Sequence, residues 1–110
     1  MKPLELERDG ARVRILLGAQ LTAAVVPEVQ AALKQELDAG ISEFEFDLSS
    51  TEALDSSGIG LLIAASNSLS RTHGSIRLVN VAPEIMKLLQ SMRLVERLHA
   101  TASATEGSHG

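Results

Sequence analysis

Cysteine, tryptophan and tyrosine are all absent from this chain, and phenylalanine occurs only twice. Without cysteine there is no disulfide, no thiolate chemistry and no cysteine-based zinc site. With so few aromatic rings the core has to be aliphatic, and successive nucleic-acid bases find nothing to stack on. Charge of one sign is lacking too: the net charge is −4, with acidic and basic residues scattered along the sequence. There is no basic stripe of the kind that binding a phosphate backbone requires, so nucleic acid is not an expected partner. No apolar run approaches the ~20 residues that span a bilayer, and the start, Met1-Lys2-Pro3-Leu4-Glu5, has no apolar signal core. A cytoplasmic protein with no direct membrane insertion is expected.

What is present is enough for one two-layer core: 110 residues, 45% hydrophobic and 22% charged. Strand-like runs near residues 3–8 and 11–17 flank Asp9-Gly10, a hairpin turn signal. Val13, Ile15 and Leu17 share one face of the second run by the two-residue period of a strand. After Gly18 to Ala23, a helix ends near Gly40, with Val26, Val29, Leu33 and Leu37 in one stripe and Pro27 in its first turn. Glu43 to Leu48 reads as a strand with Phe44, Phe46 and Leu48 on one side, followed by a polar loop from Ser49 to Leu54. A second helix begins at about Ser56 and stops near His73-Gly74, where Gly74 suits a left-handed residue after the helix end. Ile76 and Leu78 mark a further strand. Pro83 opens a third helix whose buried stripe is Ile85, Leu88, Leu89 and Met92, and a short last strand is expected around Val95 to His99.

This order, β-β-α-β-α-β-α-(β), predicts a single α/β domain over residues 1–100. Its mixed sheet has four to five strands with three main helices packed against it, and a loose tail occupies 101–110. In such sheets, sites collect beyond the carboxyl ends of the strands. The Ser49–Leu54 loop and the head of the middle helix lie there.

That junction reads Asp55-Ser56-Ser57-Gly58-Ile59-Gly60. Capping alone would account for one of Asp55, Ser56 and Ser57, because aspartate and serine oxygens accept bonds from the free N–H groups of a helix start. Two glycines in the first turns are less easily explained, as each costs about 1 kcal/mol relative to alanine. They suggest that something approaches the backbone closely. At about 100° per residue, Ile59, Leu62, Ile63 and Ser66 face the core. Gly58, Leu61 and Ala65 then fall on the far or flanking side, where an exposed Leu61 would help form a small contact surface. A phosphoryl group on Ser56 would add roughly −1.5 to −2 charges. The helix dipole and free N–H groups tolerate an anion there, while a partner covering the same spot would not.

Over about residues 3–100, and most sharply in Asp55-Ser56-Ser57-Gly58-Ile59-Gly60-Leu61-Leu62, the sequence resembles the STAS family, the anti-sigma factor antagonists of bacterial partner-switching systems. The resemblance implies a non-enzymatic, phosphorylation-gated protein switch acting in transcription regulation. Unmodified, it would sequester an anti-sigma factor serine kinase; phosphorylation on the residue matching Ser56 would release that kinase, and a metal-dependent serine phosphatase would reset the cycle. The partner-facing surface implied in this way includes Asp55, Ser57, Gly58, Leu61 and the Gly18–Ala23 loop with Thr22. Asp55 would help orient the serine, in addition to capping. Thr22 stands where family members often carry an acidic residue, and it is also expected to cap the first helix. No cofactor or metal is implied, and association of the chain with itself is left open.

One enzymatic reading and one of nucleotide binding compete. A serine hydrolase would use Ser56 and Asp55 with one of His73, His99 and His109, but no Gly-x-Ser-x-Gly elbow is present and adjacent aspartate and serine are not triad geometry. Nucleotide binding would need a third glycine where Ile63 stands, and a Walker lysine. A third reading keeps the fold and changes the work: an unphosphorylated STAS scaffold or subunit in a phospholipid transporter, chemotaxis or stress-signalling complex.

Overall fold

The structure is a computed structural model, and it describes residues 3–103. Two antiparallel strands come first, β1 (Leu4–Asp9) and β2 (Arg12–Leu17), joined by a turn in which Gly10 takes φ +64°, a value only glycine adopts freely. A two-residue strand β3 (Gln20–Leu21) precedes α1 (Val26–Asp38). Strand β4 (Glu43–Asp47), a second two-residue strand β5 (Ala53–Leu54) and α2 (Ser56–Arg71) follow. The chain closes with β6 (Ser75–Val81), α3 (Pro83–Ser91) and β7 (Ala100–Ala102).

The main sheet has five strands in the order β1-β2-β4-β6-β7, with β1 antiparallel and the rest parallel. From β2 onward each helical crossover steps one strand over in the same direction. Crossovers of a parallel sheet are right-handed, so all three helices fall on one face. Burial follows this asymmetry. Val13, Ile15, Leu17, Phe44, Phe46, Leu48, Ile76 and Leu78 are buried beneath the helices. Phe44 and Phe46, two residues apart on one strand, meet edge to face with ring centroids 6.3 Å apart.

The opposite face carries charge in rows set by the strand register. Glu7, Arg14, Glu45 and Arg77 line up across four strands with alternating sign, and Arg14 and Arg77 lie 3.6 and 3.7 Å from the Glu45 carboxylate. At the top of this face Asp47 is buried, and burial pushes its carboxyl up. The Arg14 guanidinium, the Ser49 backbone N–H and the Asn80 amide outweigh that and hold it at about 2. Beneath the helices the buried charge of Glu36 on α1 receives two bonds from Arg8, at 3.0 and 2.9 Å. Among the described residues no helix is long and apolar enough to cross a membrane.

The expected α/β order holds, and several local expectations are corrected. β3 and β5 are not legible in the sequence because two residues are too few to show a period; they pair in parallel, Gln20 with Ala53 and Leu21 with Leu54. The last strand lies at Ala100–Ala102 rather than Val95–His99. The earlier segment is a helical turn, with the Leu98 N–H donating to the Leu94 carbonyl and both side chains buried. Thr101 and Ala102 therefore belong to the sheet, and residues 104–110 of the expected tail lie outside the described residues. Met92 is 45% exposed, because α3 ends at Ser91 and Leu94 fills the core position instead. The left-handed residue after α2 is His73 at φ +59°, not Gly74. Gly74 answers a packing need: a Cβ there would stand 2.5 Å from the Ser42 carbonyl oxygen.

Candidate functional site

The head of α2 sits beyond the carboxyl ends of the parallel strands. Asp55 is its N-cap, in an extended conformation that lets its carbonyl accept the first helical bond from the Ile59 N–H at 3.0 Å. Both carboxylate oxygens of Asp55 are committed within the chain. Oδ1 accepts from the Gly58 N–H and Oδ2 from the Ala23 N–H, each at 3.0 Å. The second bond crosses 32 residues and ties the segment after β3 to the start of α2. These two backbone donors, Gly58 before Ala23, hold the Asp55 carboxyl below its ordinary range. The expected cap is present; beside it Asp55 acts as a clamp that no local pattern announces.

Ser56 and Ser57 occupy the first two helical positions, and both are exposed. Neither hydroxyl has a hydrogen-bond partner among the described residues. Since Asp55 already supplies the side-chain cap, the fold makes no demand on either hydroxyl.

The other expected contact residues divide between two flanks. Gly58 is buried: a Cβ on it would lie far inside contact distance of the Leu21 carbonyl oxygen and 2.9 Å from Leu54 Cδ1. The close backbone approach that its presence suggests is real, but it comes from β3 of the same chain. Leu61 is only 7% exposed, which overturns the expectation of an exposed leucine. Together with Ala65 it packs toward α1, leaving a shallow groove of about 210 Å³ whose lining includes Leu33, Lys34 and Leu37 of α1 and Leu61, Ala64 and Ala65 of α2. The helix wheel misleads here because α2 has two burying neighbours, the sheet and α1, so its apolar arc is wider than one stripe. The open flank carries Ser56, Ser57 and Gly60 instead.

Thr22 is half-buried beside this site and does not cap α1. The N-cap is Val25, without a side-chain bond, and it is the Thr22 carbonyl that accepts from the N–H groups of Val25 and Val26, at 2.9 and 3.0 Å. The Gly18–Ala23 and Ser49–Leu54 loops are expected at the site as segments; the particular parts of Leu21, Ala23 and Leu54 are not, because they act through backbone atoms or packing and carry no chemical signature. Of the histidines, His73 follows the last turn of α2, about 25 Å from Ser56 at the rise of a helix. His99 places Nδ1 2.9 Å from the carbonyl of Ile76, at the opposite end of the sheet, and His109 lies outside the described residues.

Residues 4–99 match a family model described as Mlab, STAS domain. Among solved structures, the chain is similar to the Bacillus cell fate determinant SpoIIAA in its phosphorylated form, with 21% identity, a TM-score of 0.76 and 96% of both chains covered. It is similar to a putative anti-sigma factor antagonist from Thermotoga maritima, with 18% identity, a TM-score of 0.85, and 96% of this chain and 92% of that one covered. A sulfate transporter family protein from Wolinella succinogenes matches with 13% identity, a TM-score of 0.72, and 84% and 75% covered. At such identities these likenesses concern the fold. No curated protein matches the chain in sequence. The family model spans most of the chain, the five-stranded sheet with its helices on one face agrees, and the Asp-Ser-Ser-Gly junction stands at the carboxyl end of that sheet: this chain belongs to the STAS domain family.

Proposed function

We propose that the chain is a non-enzymatic binding module gated by phosphorylation of Ser56, and that its partner is an anti-sigma-type serine kinase. One observation carries the reading: the Ser56 hydroxyl is exposed at the first position of α2 without a hydrogen-bond partner among the described residues, while Asp55 supplies the side-chain cap. The hydroxyl is therefore free to be modified without loss to the fold. In the transfer, Ser56 Oγ bonds to the γ-phosphorus of a nucleoside triphosphate, the bond to the departing nucleoside diphosphate breaks, and the hydroxyl proton passes to a base of the kinase. The dianion rests at a helix N-terminus, where the dipole and N–H groups favour it. A partner seated on the same turn has to desolvate it. Moving a complex from about 99% to about 1% bound requires about 5.5 kcal/mol, which a buried charge can supply and a rim charge cannot. A serine phosphatase restores the binding form.

The test is affinity for the anti-sigma kinase of the same host. Ser56→Asp should weaken binding at least tenfold (about 1.4 kcal/mol) with an unchanged circular dichroism spectrum, and Ser56→Ala should bind but accept no phosphate. Equal affinity of the aspartate variant and the unsubstituted chain would refute the gate.

A second reading keeps the surface and drops its modification: a STAS scaffold within a transporter assembly. The similarity to a sulfate transporter family protein and the non-acidic Thr22 favour it. Under that reading Ser56→Asp still weakens assembly, but Ser56 carries no phosphate in cells.

A further inference from the structure

The two glycines at the head of α2 differ in one respect. Gly58 is required from within, by the Leu21 carbonyl oxygen and the Leu54 side chain. At Gly60 an added Cβ would meet nothing within 4 Å beyond the helix's own backbone, and the residue is exposed. A glycine in a helix interior destabilises it relative to alanine, and here no packing, turn or positive φ compensates.

Side chains on a helix lean toward its N-terminus and cover the surface of the preceding turn. A side chain at position 60 would lean over positions 56 and 57, four and three residues back, where both hydroxyls are exposed. Ala64, the next exposed residue one turn further on, is also too short to reach across.

We infer that Gly60 is an access residue for Ser56: it leaves the α2 backbone bare beside the hydroxyl, so that an enzyme carrying a nucleoside triphosphate can lie against the helix and bring its γ-phosphorus to Oγ. This inference rests on the phosphorylation reading above. It identifies the kind of partner surface that fits, a flat segment of main chain or small side chains pressed against the first two turns of α2. A side chain at 60 holds that segment away and lengthens the distance to the hydroxyl, while leaving every contact of the domain in place.

The full chain and its Gly60→Ala and Gly60→Leu variants are produced in the native host lacking its own copy. Thermal unfolding is measured, and the phosphorylated fraction of Ser56 is followed by intact mass and peptide sequencing. Gly60→Ala should raise Tm by about 4 °C and lower the rate of Ser56 phosphorylation. Gly60→Leu should remain folded and be phosphorylated at least about tenfold more slowly, the equivalent of a 1.4 kcal/mol misfit. If the unsubstituted chain is phosphorylated and the leucine variant equally so, the access role is overturned while the switch stands. A fall in Tm for Gly60→Ala assigns the glycine to the fold and also overturns it. If the unsubstituted chain acquires no phosphate, the switch reading fails and the inference falls with it.

Discussion

Two flanks of α2 begin from nearly the same residue types and end in opposite environments. One carries Gly58, Leu61 and Ala65, buried against β3 and α1; the other carries Ser56, Ser57 and Gly60, open to solvent. Small residues on the first let secondary elements approach closely. On the second they leave room that the chain itself does not use. A glycine in a helix is thus ambiguous until its neighbours are known, and the same cost in propensity serves packing in one place and exposure in the other.

The sharpest way to break this contrast is Gly58→Ala. The new methyl would collide with a backbone carbonyl that has no rotamer to move, so the β3–β5 pair and α2 must separate. We expect a loss of about 3 kcal/mol and a fall in Tm of more than ~10 °C, measured by thermal and urea unfolding. A loss below about 0.5 kcal/mol would mean that Gly58 is no tighter than a surface glycine.

Asp55 stands where the two flanks meet, and its substitution has a smaller effect of a different kind. In Asp55→Asn only one oxygen remains, and the amide nitrogen would face an N–H donor. The cap to Gly58 should survive while the tie to Ala23 is lost. Amide hydrogen exchange should show faster exchange at Ala23 and little change at Gly58; unchanged protection at Ala23 would remove the clamp from the account. The pH dependence has a definite sign. Because the folded carboxyl is held below its ordinary value, its stabilising bonds are complete above the unfolded value and disappear as pH falls through the lowered one. Protection of Ala23 should therefore persist through mild acid and fail only below the ordinary carboxylate range.

Much of this molecule is legible in its sequence, for reasons that differ from part to part. Val13, Ile15 and Leu17, or Phe44, Phe46 and Leu48, repeat every second residue over runs long enough to show the period, and they form the buried face of the sheet. The Asp55–Gly60 junction is legible because its residues are contiguous and its cap is local. What stays hidden depends on distance in sequence. The bond between Asp55 and Ala23, and the contact of Gly58 with Leu21, join segments more than thirty residues apart, through strands of two residues. The burial of Leu61 stays hidden for a related reason: a wheel assumes one burying direction, and α2 has two. Thr22 has the residue type of a cap but lies three residues before Val25, so only its carbonyl takes part.

The central claim is that Ser56 is a phosphoacceptor whose modification spares the domain and removes its partner. The most direct test is mass spectrometry of the protein isolated from its native host at several stages of growth, with the phosphorylated residue located by fragmentation. The account predicts a phosphorylated population, with the group on Ser56 and a folded domain beneath it. Phosphate confined to other residues, or none at Ser56 at any stage, would contradict it.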